Sequence, residues 1–184
     1  MQIREKRMPS RDFCEAARAG LKTARERNVL VLINDRVDIA IVCDADGVHL
    51  GQEDLPPEHA RRLLGNDAII GYSTHTMEQA KAAIRLPVDY IAFGPIFSTS
   101  TKERADPVVG LGLLAEVRAL AGKIPVVAIG GIDKTNITSV VDAGADSAAV
   151  IGSLLRNAES ISDDYKQLSE LATQERITAH NNIK

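Results

Sequence analysis

The run Phe93-Gly94-Pro95-Ile96-Phe97-Ser98-Thr99-Ser100-Thr101-Lys102 joins an apolar segment to Gly-Pro and then to hydroxyls that end in a lysine. Gly and Pro halt regular structure through backbone geometry. Hydroxyls and an ammonium beside a strand end are donors for an oxyanion; a solvated Ser/Thr loop is the plainer alternative. Gly130-Gly131-Ile132 and Ile151-Gly152-Ser153 follow two later apolar runs. Glycine lets a backbone approach a ligand closely, so N–H groups there suit a phosphate; simple turn glycines fit the same letters. Asn34-Asp35 and Gln52-Glu53-Asp54 follow two earlier runs. Asp35 and Asp54 can share a hard cation with a phosphate oxygen, and Mg2+ needs few protein ligands. Both also precede helical segments, so spacing alone leaves helix capping open. Arg4, Lys6 and Lys102 add cations. A metal and three cations suit a polyanion such as a diphosphate, and the amide-lined glycines suit a second phosphorylated ligand.

Covalent catalysis has little support. Cys14 lies on an apolar helical face, and no Ser-His-Asp arrangement is legible. His49 sits in a strand whose parity leaves open core packing or a ligand contact. His75 follows Ser73-Thr74, and His59 and His180 read as solvated.

Strands and helices must position these groups. Ser10 reads as the N-cap of a helix with Asp12 in its first turn, and Phe13, Ala16, Ala17, Leu21 and Ala24 recur at helical spacing. Val29–Ile33 is a continuous apolar run, as for a strand covered on both faces. An Asp, a short strand and a Gly recur at Asp46–Gly51, Asp89–Gly94 and Asp146–Gly152. Two further strands also end in glycine, at Gly71 and Gly130. The spacing predicts strands near 2–5, 29–33, 47–50, 68–71, 89–93, 125–129 and 146–151, separated by helices. This alternation means βα units and a parallel sheet. Polar and glycine ends spread over most strands are how a barrel rim is built, whereas an open doubly wound sheet concentrates glycines after its first strand. The expected fold is an α/β TIM (β/α)8 barrel with seven β/α units legible and the first absent. The glycine loops at 130–132 and 151–153 then follow barrel strands seven and eight, a common place for a phosphate at a short helix N-terminus.

The 184 residues fit one domain, 1–184, with 177–184 expected as a disordered tail. Apolar residues make up 45%, ordinary for a globular core. A net charge of −3, with no basic patch interleaved with aromatics, argues against nucleic acid and a charged membrane surface. No run reaches membrane-spanning length, and no leader is evident. Cys14 and Cys43 form no CxxC pair and read as buried free thiols, which suits a reducing cytoplasm.

The segments QIREK, LINDRVDIA, ADGVHLGQEDLP, IIGYSTHT, DYIAFGPIFSTSTK, PVVAIGGI and GADSAAVIGS, in this order, resemble the thiamine phosphate synthase family. The resemblance runs from Gln2 to about Leu155. It implies a transferase that couples a hydroxymethylpyrimidine diphosphate to a thiazole phosphate, giving thiamine phosphate and pyrophosphate. It implies Mg2+ on Asp35 and Asp54. The pyrimidine diphosphate would lie on Gln2, Arg4, Lys6, Asn34, Ser73 and Lys102, with Gln2 on the ring. The thiazole phosphate would lie on Thr99, Thr101, Gly131, Ile151 and Gly152. Family members usually carry Ser where this chain has Gly152, a change that keeps a backbone N–H contact and loses a hydroxyl. The implied mechanism is dissociative: pyrophosphate leaves, and the thiazole nitrogen attacks a pyrimidine methyl cation. Arg4, Lys6, Lys102 and Ser73 are the expected catalytic side chains.

Family members also carry a strand and helix before QIREK, so a truncated chain or an internal start is expected. A homodimer is compatible with the sequence, which does not specify one. Competing functions are a thiazole tautomerase on the same barrel, a non-catalytic phosphate- or thiamine-binding module, and a phosphosugar isomerase. The last needs a rim acid–base pair that the sequence does not offer. The hydroxyl loop at 93–102 would bridge the two substrates and suits a mobile lid.

Overall fold

The computed structural model describes residues 1–99 and 106–181, with side chains described through Thr173. Strands and helices alternate as β1 (Gln2–Ile3), α1 (Ser10–Arg25), β2 (Leu32–Asn34), α2 (Val37–Cys43), β3 (Gly47–Leu50), α3 (Pro57–Leu64) and β4 (Ile69–Thr74). Then follow α4 (Met77–Ala83), β5 (Tyr90–Phe93), α5 (Gly110–Ala121), β6 (Val126–Ile129), α6 (Ile137–Asp142), β7 (Ser147–Ala149) and α7 (Ile161–Asn181). The strand order in the sheet is the sequence order, β1 to β7. The alternation and order are those expected of the α/β barrel class. Among the described residues no helix is long and apolar enough to cross a membrane.

The chain divides into two compact units. The first is Met1–Ser73 with Arg85–Tyr90, and the second is Thr74–Ile84 with the chain from Ile91 onward. In the first, β1 to β4 pair in parallel, with Ile3 opposite Ile33, Asn34 opposite His49, and His49 opposite Gly71. Its core joins Phe13, Ala17, Leu21 and Ala24 of α1 to Val31, Ile33, Val48, Leu50 and Ile70. The helical spacing of those α1 residues thus becomes the face laid on the sheet. Ala16 falls outside that face and is exposed. In the second unit, β5, β6 and β7 pair in parallel. Their buried side chains include Ile91, Phe93, Val126 and Ala128, with Leu114 and Val117 of α5 and Val140 of α6 also buried.

The recurrent Asp has a structural role in all three places. Asp46, Asp89 and Asp146 each accept, through Oδ2, the N–H at the start of an earlier strand segment: Val31, Ile70 and Val126 respectively. Arg61 and Arg118 brace two of these carboxylates, at 2.6 Å from Asp89 and 2.9 Å from Asp146.

Several boundaries differ from expectation. The second strand begins at Leu32, because Asn28 adopts a left-handed φ of 54° and the Val29 N–H turns back to the Ala24 carbonyl at 3.0 Å. Val29 and Leu30 are spent in that turn and are exposed. Pro9, not Ser10, holds the cap position of α1; Ser10 is its first helical residue, and its hydroxyl accepts from Arg36 at 2.9 Å. Gly71 does not end its strand, since β4 continues through Tyr72 and Ser73 to Thr74. The first strand stops at Ile3, which leaves Arg4 in the following loop. The last stops at Ala149, so Ile151 and Gly152 lie beyond it and are exposed.

Candidate active site

Because β1 to β4 are parallel, the residues that follow them share one end of the sheet in the first unit. Arg4 and Lys6 follow β1, Asn34 closes β2, Asp54 follows β3, and Ser73 lies near the end of β4. Asp35 leaves β2 with a left-handed φ of 63°, a conformation Asp tolerates better than most residues. Its N–H donates to the His49 carbonyl at 2.8 Å, which ties the turn to β3. Lys6 Nζ lies 3.0 Å from Asp35 Oδ2. Asp54 Oδ2 accepts the Gly51 N–H at 2.6 Å. Burial pushes the Asp54 carboxyl above the ordinary carboxylate range, opposed by the Gly51 amide and reinforced by the neighbouring Asp35 carboxyl; Lys6 works the other way. Neither aspartate caps a helix: the cap positions of α2 and α3 are Arg36 and Pro56.

Asn34 and Ser73 are buried, and Gln2, Arg4 and Lys6 are exposed. Ser73 Oγ lies 2.8 Å from His49 Nε2, and Gln52 Nε2 donates to the Ser73 carbonyl at 2.6 Å. The exposed cations and the carboxylate pair, on one end of one sheet, can take up a polyanion with a hard cation.

In the second unit, the loops after β5, β6 and β7 meet. The Phe97 N–H donates to the Gly130 carbonyl at 3.1 Å, and Ser153 Oγ donates to the Ile132 carbonyl at 3.4 Å. Gly131 has a φ of 67°, and a Cβ there would stand 2.5 Å from the Ser98 carbonyl oxygen and 2.7 Å from Phe97 Cβ. Only glycine fits that backbone without displacing the loop after β5. Asn136 Nδ2 donates to the Gly131 carbonyl at 3.0 Å, and Asn136 Oδ1 accepts the Asp133 N–H at 2.9 Å, which fixes the outer side of the turn. Beyond β7 the expected short helix is a single turn, in which the Leu154 and Leu155 N–H groups return to the Ile151 carbonyl. Thr99 is half-buried in the loop after β5. Ser100, Thr101 and Lys102, the end of the expected lid, lie outside the described residues.

The two cysteines, distant in sequence, come together on α1 and α2: Cys43 Sγ is 3.6 Å from the Cys14 carbonyl oxygen. Burial, foremost, raises the Cys43 thiol above its ordinary value. Both are free thiols, but only Cys43 is buried as expected; Cys14 is half-buried at the edge of the core.

A model of the family described as thiamine monophosphate synthase matches residues 1–154. The chain belongs to the thiamine monophosphate synthase family. Within it, a thiamine-phosphate synthase from Syntrophomonas wolfei is 46% identical over 171 residues, covering 93% of this chain and 81% of that protein. One from Koribacter versatilis is 47% identical over 168 residues, covering 91% and 79%. Among solved structures, a thiamine phosphate pyrophosphorylase from Pyrococcus furiosus superposes with a TM-score of 0.83 at 37% identity, covering 94% of this chain and 82% of that one. Members of the thiamine monophosphate synthase family are transferases, and the α/β barrel class expected from the strand pattern is theirs.

Sequence reasoning passed over Gln52, Asn136, Gly71 and Tyr90. Gln52 was legible only as a neighbour of Asp54. Gly71 read as a strand end because the letters do not show that the Tyr90 ring of the next strand fills the space a Cβ there would take.

Proposed function

We propose that this chain is a thiamine phosphate synthase, coupling a hydroxymethylpyrimidine diphosphate with a thiazole phosphate to give thiamine phosphate and pyrophosphate. One observation carries the reading: the Lys6 ammonium stands 3.0 Å from Asp35, with the Asp54 carboxyl next to that pair at the strand ends. A carboxylate pair beside a lysine ammonium is a donor set suited to a metal-bound diphosphate. A thiazole tautomerase takes no diphosphate and needs neither the pair nor Lys6.

Among the described residues, no three His, Cys, Asp or Glu side chains gather into a metal cluster. Two hard carboxylates fit Mg2+, which keeps water and phosphate oxygens in its remaining positions. Asp35 and Asp54 would hold it, and when bound it supplies neutralisation of charge on the departing pyrophosphate.

The chain's own groups do the rest. Lys6, Arg4 and Lys102 put positive charge where the leaving group accumulates negative charge, which lowers the barrier to breaking the C–O bond. Asn34 and Ser73 orient the diphosphate, and Gln2 contacts the pyrimidine ring. Thr99, Thr101 and the N–H groups of Gly131, Ile151 and Gly152 hold the thiazole phosphate. The bond to pyrophosphate breaks with its electron pair leaving on oxygen; the pyrimidine methyl cation is resonance-stabilised, and the thiazole nitrogen donates the pair that forms the new C–N bond. Holding both substrates bound replaces a bimolecular encounter.

The test is a single-turnover reaction with both substrates and Mg2+, following pyrophosphate and thiamine phosphate together. Stoichiometric release of both is expected. Isomerised thiazole phosphate without pyrophosphate would mean a tautomerase, and binding of both substrates without turnover would mean a binding module.

A further inference from the structure

Within the first unit, His49 of β3, Gly71 of β4 and Tyr90, the first residue of β5, share one level. His49 and Gly71 are register partners, and Asp89, next to Tyr90, bonds to Ile70, next to Gly71. The His49 and Tyr90 rings therefore stand on either side of a glycine. They stack over it, with centroids 5.6 Å apart and planes 24° from parallel. A Cβ on Gly71 would overlap Cζ, the hydroxyl and Cε1 of Tyr90. The absent side chain of Gly71 is the space the phenol occupies.

Through that space Tyr90 Oη reaches His49 Nδ1 at 2.8 Å, while His49 Nε2 reaches Ser73 Oγ at 2.8 Å. Both ring nitrogens are engaged, so the proton on the ring decides the direction of the whole chain. Among the described residues the partner of the Tyr90 hydroxyl is His49, and no buried side-chain N or O lacks a partner. With the phenol proton aimed at its ring partner, Nδ1 carries no proton of its own. Burial raises the Tyr90 phenol above its ordinary range, which keeps that proton on oxygen. In that arrangement Nδ1 is the acceptor, Nε2 carries the ring proton, and Ser73 Oγ accepts from it. The hydroxyl proton of Ser73 is left pointing away from His49.

We propose that Tyr90, His49 and the clearance at Gly71 act as positioning residues that make Ser73 a fixed hydrogen-bond donor to the leaving diphosphate. This rests on the placement of the diphosphate at Ser73 argued above. A serine free to rotate divides its time between donating and accepting. One that already accepts from an imidazole N–H offers its proton to an oxyanion with less reorganisation as negative charge builds.

Two measurements test it. The first is the 15N spectrum of histidine-labelled wild-type protein, with the His49 signals assigned by their loss in His49→Gln. The expected form carries its proton on Nε2. The second is a double-mutant cycle of Tyr90→Phe and Ser73→Ala. Tyr90→Phe should lower kcat by about tenfold, the scale of one lost hydrogen bond, with KM for both substrates unchanged. The double variant should be no slower than Ser73→Ala alone, since the relay acts only through that hydroxyl. A proton on Nδ1 in the wild-type protein, or additive losses in the cycle, overturns the relay. Wild-type activity in Ser73→Ala would instead overturn the placement of the diphosphate on Ser73, an outcome the spectrum cannot produce.

Discussion

Asp46 and Val31 bind each other in both directions: Asp46 Oδ2 accepts the Val31 N–H at 2.7 Å, and the Asp46 N–H donates to the Val31 carbonyl at 3.1 Å. The same double bond joins Asp89 to Ile70 and Asp146 to Val126, with N–H to carbonyl distances of 2.8 and 2.9 Å. Val31 is fully buried, so its N–H has no recourse to water. Asp46→Ala should cost about 1–3 kcal/mol, the penalty for a buried donor left without its acceptor. Asp46→Asn keeps an amide oxygen and should lose less. Urea denaturation of both variants measures the difference.

Asp35→Asn leaves the turn after β2 its shape but removes a charge from the carboxylate pair. Turnover should fall by on the order of 10²-fold, as for loss of one electrostatic contact to a leaving group. Chelation of divalent metal should abolish wild-type turnover, and the variant should need more Mg2+ for half-maximal rate. A Mg2+ titration of initial rates gives both numbers, and an unaltered Mg2+ requirement would remove Asp35 from the site.

Gly131→Ala places a methyl on a left-handed backbone pressed against the loop after β5. The conformation alone costs about 1–2 kcal/mol for a residue with a Cβ. The expected result is a lower Tm and a KM for thiazole phosphate raised by about tenfold or more, equivalent to roughly 1.4 kcal/mol of binding, while KM for the pyrimidine diphosphate is unchanged. Equal effects on both substrates would indicate general damage rather than loss of a phosphate turn.

Lys134 and Asp164 join the loop after β6 to α7 at 2.5 Å, and Ser160 Oγ donates to the same carboxylate at 2.7 Å. Lys134 foremost, and then Ser160, hold the Asp164 carboxyl below the ordinary range. A depressed folded value means that the unfolded chain binds the proton first as pH falls. The contribution is complete above about pH 4, the unfolded value, and disappears as pH drops through the folded one. Asp164→Asn should therefore be less stable than wild type at pH 7, with the two melting curves converging in acid. A gap that persists unchanged as the pH falls well below the unfolded value would assign the effect to packing instead.

Much of the fold was legible because its signals are local. The face Phe13, Ala17, Leu21 and Ala24 repeats at helical spacing and is buried as read. The apolar runs of β3, β5 and β6 fall within a residue of expectation because both faces of a parallel sheet are covered. The carboxylates were legible as a pair, but whether they capped helices was not. Capping depends on where each helix begins, and α2 and α3 begin two or three residues later than Asp35 and Asp54. Val29 and Leu30 misled because apolar composition cannot report a left-handed residue just upstream.

By itself the sequence determined which residues stand at the strand ends. Parallel strands all point the same way, so a residue that follows an apolar run is delivered to that end by chain polarity alone. Asn34, Asp35 and Asp54 needed no more than this, whereas Arg4 and Ser73 were placed by where β1 and β4 actually stop, at Ile3 and Thr74. What the tertiary structure decided is which of them touch. Register between strands is set by packing of distant segments, and nothing in the spacing of His49, Gly71 and Tyr90 says that they lie level. Once they do, the missing Cβ of Gly71 admits the phenol to the imidazole, and a glycine that reads as the end of a strand becomes the opening through which Tyr90 reaches Ser73 by way of His49.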